Sequence, residues 1–244
     1  MTKPITIISS MATQQILQEL TLDYSKKTGQ SVEVQSVGGI DAARRIHAGE
    51  VFDLVVLASD AIKALSEDGF VISDSIREFA RSPTAMAVPA GAPHPATCDE
   101  TAIKSLVSSV QHIGVSTGPS GTNIAKLLTS WGLFDKSDRR IVQAPPGVPV
   151  ARLLLNGDAD VGFQQLSELL GQPGIEIVGT VPVDLQPMTI FTCCIGRRAA
   201  DGIGARSLLS ALLSDDTAAT KRKNGMEPGE AKRSEVGARP VGKT

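Results

Sequence analysis

The strongest constraint on the fold is a repeated alternation between short apolar runs and helix-like segments. Ile5 to Ile8 form a strand-like run, and apolar residues then recur at helical spacing from Ile16 to Tyr24. The stretches "SVEVQS" and "FDLVVLAS" repeat the strand pattern, and each precedes a helix-like segment that a glycine closes. Continuous apolar strands separated by helices are typical of a parallel sheet covered on both faces. The sequence therefore predicts an α/β fold.

The pattern changes near Ser82, where a short strand and a proline-rich turn precede a second series of alternating helices and strands. The strand-like "MTIFTCCIG" then leads into two helix-like stretches, "ARSLLSALLS" and "TAATKRKNGMEPG". We interpret this order as two α/β lobes between which the chain crosses twice. The predicted first lobe contains residues 1–82 and 187–228, and the second contains residues 83–186. The polar stretch 229–244 lacks periodicity and is predicted to be a disordered tail.

Composition excludes several classes of function. The net charge is −2, aromatic residues make up only 3% of the chain, and lysine and arginine are scattered, so no nucleic-acid partner is expected. No window approaches the length of a membrane span, so no membrane insertion is expected. The three histidines lie far apart, and no metal or other cofactor is expected. Cys193 and Cys194 are expected to lie in a buried strand rather than in a disulfide.

The start of the printed sequence bears on the compartment. Met1 is separated from the first strand by only three residues, which leaves no room for a secretory leader. The sequence as printed therefore predicts a cytoplasmic protein, or a periplasmic one if a leader has been removed.

Small and hydroxyl residues are concentrated where predicted strands meet helices. In open α/β sheets, ligands bind beyond the carboxyl ends of the strands, where helix N-termini offer N–H groups to anions. Small residues let backbone amides approach an anion closely, and hydroxyls add neutral donors. Each loop also has a purely structural interpretation, as a helix cap or a turn. The candidate ligand-binding residues from these loops are Ser9, Ser10, Ser36, Gly38, Gly39, Ser59, Ser120, Gly121, Thr122 and Val148.

Three better-known motifs are absent. "TGPSGT" lacks the Gly-Lys-Ser/Thr ending of a nucleotide-binding loop. It is also not the Gly-x-Ser-x-Gly elbow of hydrolases. "VGGIDAA" lacks the full dinucleotide fingerprint. A small anion is therefore favoured over a nucleotide as the ligand.

The chain resembles the molybdate-binding protein family, whose members are type II periplasmic binding proteins. The stretches that carry the resemblance appear in order over nearly the whole chain, and they are "ISSMATQQILQEL", "SVGGIDAARRIHAGEVFDLVVLASD", "GPSGTNIAKLL", "GVPVARLLLNGDADVGF" and "KNGMEP". The resemblance implies two lobes, hinged by two crossing segments, that close over a small oxyanion held by neutral hydrogen-bond donors.

Carried over position by position, the resemblance implies a modified binding site. The family's first-strand serine falls on Ser10, its third-loop residue on Ser120, and its fourth-helix amide on Val148. Its serine-rich second loop is replaced here by Gly38 and Gly39, with Ser36 ahead of them, and its tyrosine after the next strand is replaced by Gln165. Two of the family's donors are thus altered, so a ligand other than molybdate or tungstate is expected.

Two arginines favour a carboxylate as that ligand. Arg44 and Arg45 lie one helical turn after Gly39. Arginine binds carboxylates through two parallel hydrogen bonds. The alternative is that both simply lie on a solvated helix face. Arg44 is included among the candidate ligand-binding residues.

Three functions remain open from the sequence. The first hypothesis is a binding protein for a small anion that feeds an ABC transporter permease, because the resemblance speaks directly for binding. The second is an isomerase of unsaturated di- or tricarboxylic acids, as in relatives similar to aconitate isomerase, which requires a 1,3-proton shift. Asp41, Asp60 and Glu168 are candidate bases, and each would need a raised pKa beside an anionic substrate. The third is an anion sensor.

Overall fold

The computed structural model describes residues 3–134 and 140–230. The strands are β1 (Ile5–Ser10), β2 (Val32–Val37), β3 (Leu54–Ala58), β4 (Arg77–Ser82), β5 (Thr84–Pro89), β6 (Ile113–Val115), β7 (Ile141–Gln143), β8 (Val161–Gln165), β9 (Ile175–Thr180), β10 (Thr189–Ile195) and β11 (Glu227–Pro228). The helices are α1 (Gln14–Thr28), α2 (Gly39–His47), α3 (Ser59–Glu67), α4 (Glu100–Ser109), α5 (Pro119–Ser130), α6 (Val150–Asn156), α7 (Leu166–Leu169), α8 (Gly202–Leu213) and α9 (Ala218–Lys223).

The first sheet has the strand order β11-β4-β10-β3-β1-β2. Strands β1, β2 and β3 run parallel, whereas β10 runs antiparallel to both of its neighbours, β3 and β4. The carboxyl ends of β1 to β4 therefore lie at one edge of the sheet, together with the first residue of β10. The helices α1, α2 and α3 begin at this edge.

The second sheet has the strand order β7-β6-β8-β5-β9. Strands β6, β7 and β8 run parallel, and β5 runs antiparallel to β8 and β9. The carboxyl ends of β6 to β9 and the first residue of β5 thus share one edge. The helices α5, α6 and α7 begin there.

The chain passes between the two sheets twice, once between β4 and β5 and once between β9 and β10. Both crossings leave from the edge at which the helices begin, so this edge of each sheet borders the cleft between two lobes. The predicted two-lobed α/β fold is confirmed. The exact limits 1–82 with 187–228 and 83–186 stay a prediction.

Two parts of the sequence-based prediction need correction, and a third falls mostly outside the described residues. Strands β4 and β9 were not foreseen, because "REFARS" and "IEIVGT" mix charged or small residues into short runs. The last predicted helix ends at Lys223, since Gly225 has a φ of 73° and the chain then pairs with β4 as β11. Of the predicted tail 229–244, residues 231–244 lie outside the described residues.

Each sheet is covered by apolar side chains on both faces, which produces two clusters per lobe. Strand β3 is buried almost throughout because its continuous apolar sequence "LVVLA" serves both faces. Cys193 and Cys194 lie in β10 and are buried on opposite faces, as the sequence predicted. Among the described residues, no helix has the length and apolar character needed to cross a membrane.

Candidate functional site

The first loop of the site places two serines at the carboxyl end of β1. Ser9 is fully buried, and its hydroxyl lies 2.8 Å from the hydroxyl of Ser36 on β2, so these two side chains satisfy each other. Ser10 precedes a short 3-10 turn, Met11–Thr13, and its side chain makes no capping hydrogen bond there. Ser10 therefore does not act as a helix cap. Ser10 is the hydroxyl at this strand end that remains available to a ligand.

The second and fourth loops approach each other from opposite lobes. Gly38 precedes α2 in the first lobe, and a methyl group at its α-carbon would lie 3.8 Å from the backbone nitrogen of Gly147 in the second. Gly39, the first residue of α2, faces open space. The backbone N–H of Val148, predicted to donate to the ligand, donates instead to the carbonyl of Pro145 at 3.0 Å. A ligand role for this amide stays a prediction and requires the turn to open.

The third loop is held together by hydroxyl groups. The hydroxyls of Ser116 and Ser120 lie 3.0 Å apart, and Ser120 is only 1% exposed. Gly121 is required at the next position, because any β-carbon there would sit 1.9 Å from the carbonyl oxygen of Ser116. Thr122 is exposed and donates to the carbonyl of Gly118 at 3.3 Å. This loop brings the start of α5 directly against the end of β6.

Some helix starts at the cleft edge differ from those of α4 and α8. The helices α2 and α3, and the turn before α1, begin without a side-chain cap, although Ser59 lies in the first turn of α3. At α5, the hydroxyl of Ser116 accepts from the backbone N–H of Gly121 at 3.3 Å. By contrast, Asp99 caps α4 by accepting from Ala102, and Asp201 caps α8 by accepting from Gly204. The N-terminal amides of several cleft-edge helices are thus left for another partner.

Four buried polar side-chain atoms at the junction of the lobes lack any hydrogen-bond partner among the described residues. They belong to a group that we call the hinge cluster, in which Gln165 reaches across to Thr189 at 2.7 Å and Gln186 donates to Thr84. Such orphaned atoms are rare in folded proteins and indicate a place for water or a ligand. The hinge cluster consists of Ser82, Thr84, Gln165, Ser167, Gln186 and Thr189.

The orientation of Gln165 is adjustable. Within the described part of the chain, its side chain has one partner, the hydroxyl of Thr189, which can either donate or accept a hydrogen bond. The amide can therefore turn either its N–H or its oxygen toward a ligand. Gln165 is 2% exposed and ends β8, so the sequence placed it correctly at a strand end.

Glu168 lies in the first turn of α7, immediately beyond Gln165, and α7 packs against the Met11–Thr13 turn of the other lobe. Its carboxylate accepts a hydrogen bond from the side chain of Gln164 at 2.9 Å. Burial raises the pKa of Glu168 to about 7, and the hydrogen bond from Gln164 opposes that rise only partly. Glu168, one of the predicted base candidates, therefore has the raised pKa that the chemistry requires.

The other charged candidates lie on α2 and α3. Arg44 is 76% exposed and forms an ion pair with Asp41 at 2.8 Å. Arg45 instead binds Glu50 and Gln35 and lies over the ring of Phe52. Asp60 is exposed in the first turn of α3. Arg44 is thus the arginine that lies near a cleft loop, because its partner Asp41 follows Gly38 by only three residues.

The structure brings together part of the predicted site. Ser10 and Gln165 border the contact between α7 and the Met11–Thr13 turn, and Gly38 meets the loop of Val148. That Ser120 also faces this cleft stays a prediction. The sequence indicated the loop "STGPSGT" that contains Ser116, but it did not identify Gln164 or most of the hinge cluster. The only signal for Gln164 was its position beside Gln165.

Among the described residues, no group of three or more histidine, cysteine, aspartate or glutamate side chains is arranged to hold a metal ion. The donors at the cleft are hydroxyls, amides and backbone N–H groups. Such donors suit an organic anion or an oxyanion.

Comparison with known proteins identifies the family. A model of the bacterial extracellular solute-binding proteins matches residues 5–227. The chain belongs to this family. It is also 32% identical to an aconitate isomerase from a Pseudomonas species over 229 residues, which are 92% of this chain and 87% of that protein.

Two solved structures share the fold of this family member. The periplasmic molybdate-binding protein of Azotobacter vinelandii superposes with a TM-score of 0.78 at 20% identity, covering 93% of this chain and 100% of that one. The tungstate ABC transporter structure from Geobacter sulfurreducens gives a TM-score of 0.70 at 15% identity, covering 91% of this chain and 98% of that one. The family resemblance inferred from the motifs is confirmed.

Proposed function

We propose that this solute-binding protein holds a small anion between its lobes, mainly through neutral donors at the strand ends. The observation that carries the proposal is that α2 and α3 begin at the cleft edge without side-chain caps, combined with buried polar atoms that lack partners among the described residues. The Gln165 amide and the Ser167 hydroxyl are both deeply buried, and both lie where β8 meets α7. A ligand that accepts and donates hydrogen bonds would satisfy them.

We further propose that the ligand is a small di- or tricarboxylate rather than molybdate. The glycines of the second loop contribute no hydroxyl, and the hydroxyl of Ser36 is already occupied by Ser9. Fewer neutral donors remain for a compact tetrahedral ion, and glycine leaves room for a larger one. Arg44 would exchange Asp41 for a ligand carboxylate, which it can bind through two hydrogen bonds.

A thermal-shift screen tests the ligand class. Molybdate, tungstate, sulfate, phosphate, malate, citrate and the two geometric isomers of aconitate are added at equal concentrations. A ligand at about 100 times its dissociation constant stabilises the fold by roughly 2.7 kcal/mol. For a chain of this size that corresponds to a rise in melting temperature of about 5–10 °C. Stabilisation by molybdate alone would contradict the carboxylate proposal while leaving anion binding intact.

A second candidate function is isomerisation of an unsaturated polycarboxylic acid. Two observations favour it, namely the 32% identity to an aconitate isomerase and the partly buried carboxyl of Glu168 beside the cleft. Proton NMR of cis- or trans-aconitate incubated with the protein tests this function directly. Appearance of the other isomer at a rate proportional to protein concentration is expected. An unchanged spectrum at saturating substrate would leave binding as the function.

We also propose an ABC transporter permease as the partner of the protein in the binding role. Membership of the extracellular solute-binding family supports this partner and a location outside the cytoplasm, in contrast to the cytoplasmic expectation from the printed start. Ligand-dependent stimulation of ATP hydrolysis by a reconstituted carboxylate transporter of the same organism tests it. No stimulation by the ligand-loaded protein would count against a transport role.

A further inference from the structure

The orientation of Gln164 is fixed, and it determines how Glu168 is held. Gln164 is 2% exposed, and its side-chain oxygen accepts from the backbone N–H of Val150 at 2.7 Å. A backbone N–H can only donate, so the other end of the amide, the NH2 group, must face Glu168. It donates to Oε1 of Glu168 at 2.9 Å.

The two carboxylate oxygens of Glu168 therefore differ in their hydrogen bonding. Oε1 is held by Gln164, whereas Oε2 makes no hydrogen bond to any residue that the structure describes. Within the same residues, Glu168 forms no ion pair. A carboxylate that is held through one oxygen and keeps the other available is positioned to transfer a proton.

The surroundings of Glu168 keep it apart from compensating charge. The strands and the turn that pack most extensively against α7 are β5, β8 and Met11–Thr13, and none of them carries an ionisable side chain. Leu166 also lines a cavity together with Arg222 and Glu227, and these two charged residues pair with each other at 3.2 Å. Arg152 on α6 is exposed. The pKa of Glu168, raised to about 7, thus reflects burial rather than a charged neighbour.

We propose that Glu168 is the base that moves a proton between two carbons of an unsaturated di- or tricarboxylic acid bound at the cleft. This inference rests on the isomerase function proposed above. It assigns the chemical step to one residue, with Gln164 as a positioning residue held by Val150.

The step is balanced without any co-reactant. Oε2 of Glu168 takes a proton from a carbon next to the double bond, and the electron pair of that C–H bond moves into the conjugated system. The carboxyl group conjugated with the double bond accepts the developing negative charge as an enolate. The protonated Glu168 then returns the same proton to the other end of the three-carbon unit. One C–H bond breaks, one forms, and the double bond moves by one position.

The enolate would form where the cleft offers neutral donors. Ser10 lies just before the turn that α7 contacts, and Gln165 directly precedes α7. Hydrogen bonds that strengthen as charge develops lower the barrier of such a step. A lysine or arginine beside Glu168 would lower its proton affinity and weaken it as a base.

The test compares the full-length protein with Glu168→Gln, Glu168→Asp and the exposed control Glu67→Gln. Each protein is incubated with trans-aconitate in deuterated water, and NMR follows both isomer formation and deuterium uptake at carbon. Binding of trans-aconitate is measured separately by calorimetry. Glu168→Gln keeps the shape and an oxygen that accepts from Gln164. It is expected to bind within about threefold of wild type and to lose roughly 100-fold or more in kcat.

The pH profile provides a second readout. In wild type, kcat is expected to rise as pH increases through about 7, because Glu168 must be ionised to accept the proton. Glu168→Asp is expected to keep measurable turnover with a displaced profile, and Glu67→Gln to match wild type throughout.

The outcomes separate the inference from the function on which it rests. If wild type isomerises aconitate and Glu168→Gln retains at least a third of its kcat, Glu168 is not the base and the isomerase function stands. If wild type binds aconitate but neither isomerises it nor exchanges deuterium, the isomerase function fails, and this inference fails with it.

Discussion

At the scale of single residues, close backbone contact determines what the third loop tolerates. Gly121 allows α5 to begin against the carbonyl of Ser116, whereas Gly39 at the start of α2 faces open space. Both glycines were predicted as small residues that admit an anion. Their structural surroundings distinguish them, because only Gly121 has a packing reason to be glycine.

A pair of alanine substitutions tests that distinction. Gly121→Ala places a methyl group 1.9 Å from the carbonyl oxygen of Ser116 and is expected to cost about 3 kcal/mol in unfolding free energy. The methyl group added by Gly39→Ala has no other atom near it and is expected to leave stability unchanged or raise it by up to about 1 kcal/mol. Urea denaturation of both variants measures the difference. Equal stabilities would contradict the packing account of the loop.

Single residues also mark where prediction from sequence reached its limit. Ser10, Gly39 and Gln165 were placed at strand ends because hydrophobic periodicity locates those ends. The use of the Val148 amide within its own turn depends on the local conformation of a proline-rich loop. The raised pKa of Glu168 depends on its burial in the folded molecule. Neither is encoded in a local pattern.

At the scale of elements, one carboxylate joins three segments of the first lobe. Asp53 precedes β3 and accepts hydrogen bonds from the backbone and side chain of Thr6 on β1, each at 2.9 Å. It also accepts from the backbone N–H groups of Ala200 and Asp201, which precede α8. Burial alone would raise the pKa of Asp53, but these hydrogen bonds outweigh burial and lower the pKa.

The pH dependence of stability follows from that direction. A carboxyl whose pKa falls on folding stabilises the protein above its unfolded value of about 3.9, and this contribution is lost as pH decreases further. Asp53→Asn is expected to lose about 3 kcal/mol at pH 7. It is also expected to lose less additional stability than wild type between pH 5 and pH 3.

Urea denaturation at both pH values checks this prediction, with Asp23→Asn, an exposed change on α1, as the control. The control is expected to follow wild type at each pH. A slope of stability against pH that is identical in wild type and Asp53→Asn would show that Asp53 does not make this contribution.

Three strands of the fold were not predicted from the sequence. Strand β4 has only two apolar residues among charged and polar ones and lacks a strand-like alternation, and β9 carries a glycine. Strand β11 exists because the chain turns at Gly225 and finds the open edge of β4. Local propensity does not predict a strand of two residues that depends on a distant partner.

At the scale of the whole molecule, buried polar residues lie together where the chain crosses between the lobes. The hinge cluster unites residues from Ser82 to Thr189, more than 100 positions apart, and no local pattern could have assembled it. The division into two lobes, in contrast, followed from the βα alternation and the two inferred crossings. This division was predictable because the alternation is repeated along the chain, whereas the polar junction arises only when the lobes come together.

The central claim is that a small carboxylate binds at the strand ends between the lobes, and calorimetric titration of trans-aconitate tests it most directly. Ser10→Ala and Gln165→Met each remove a proposed donor, whereas Ser130→Ala changes an exposed hydroxyl at the far end of α5. A hydrogen bond to a charged group contributes about 1.5–3 kcal/mol, so each of the first two variants should bind roughly 10-fold to 150-fold more weakly than wild type. Ser130→Ala should bind like wild type. Equal affinity of all four proteins, or no heat from any carboxylate beside tight binding of molybdate, would contradict the claim.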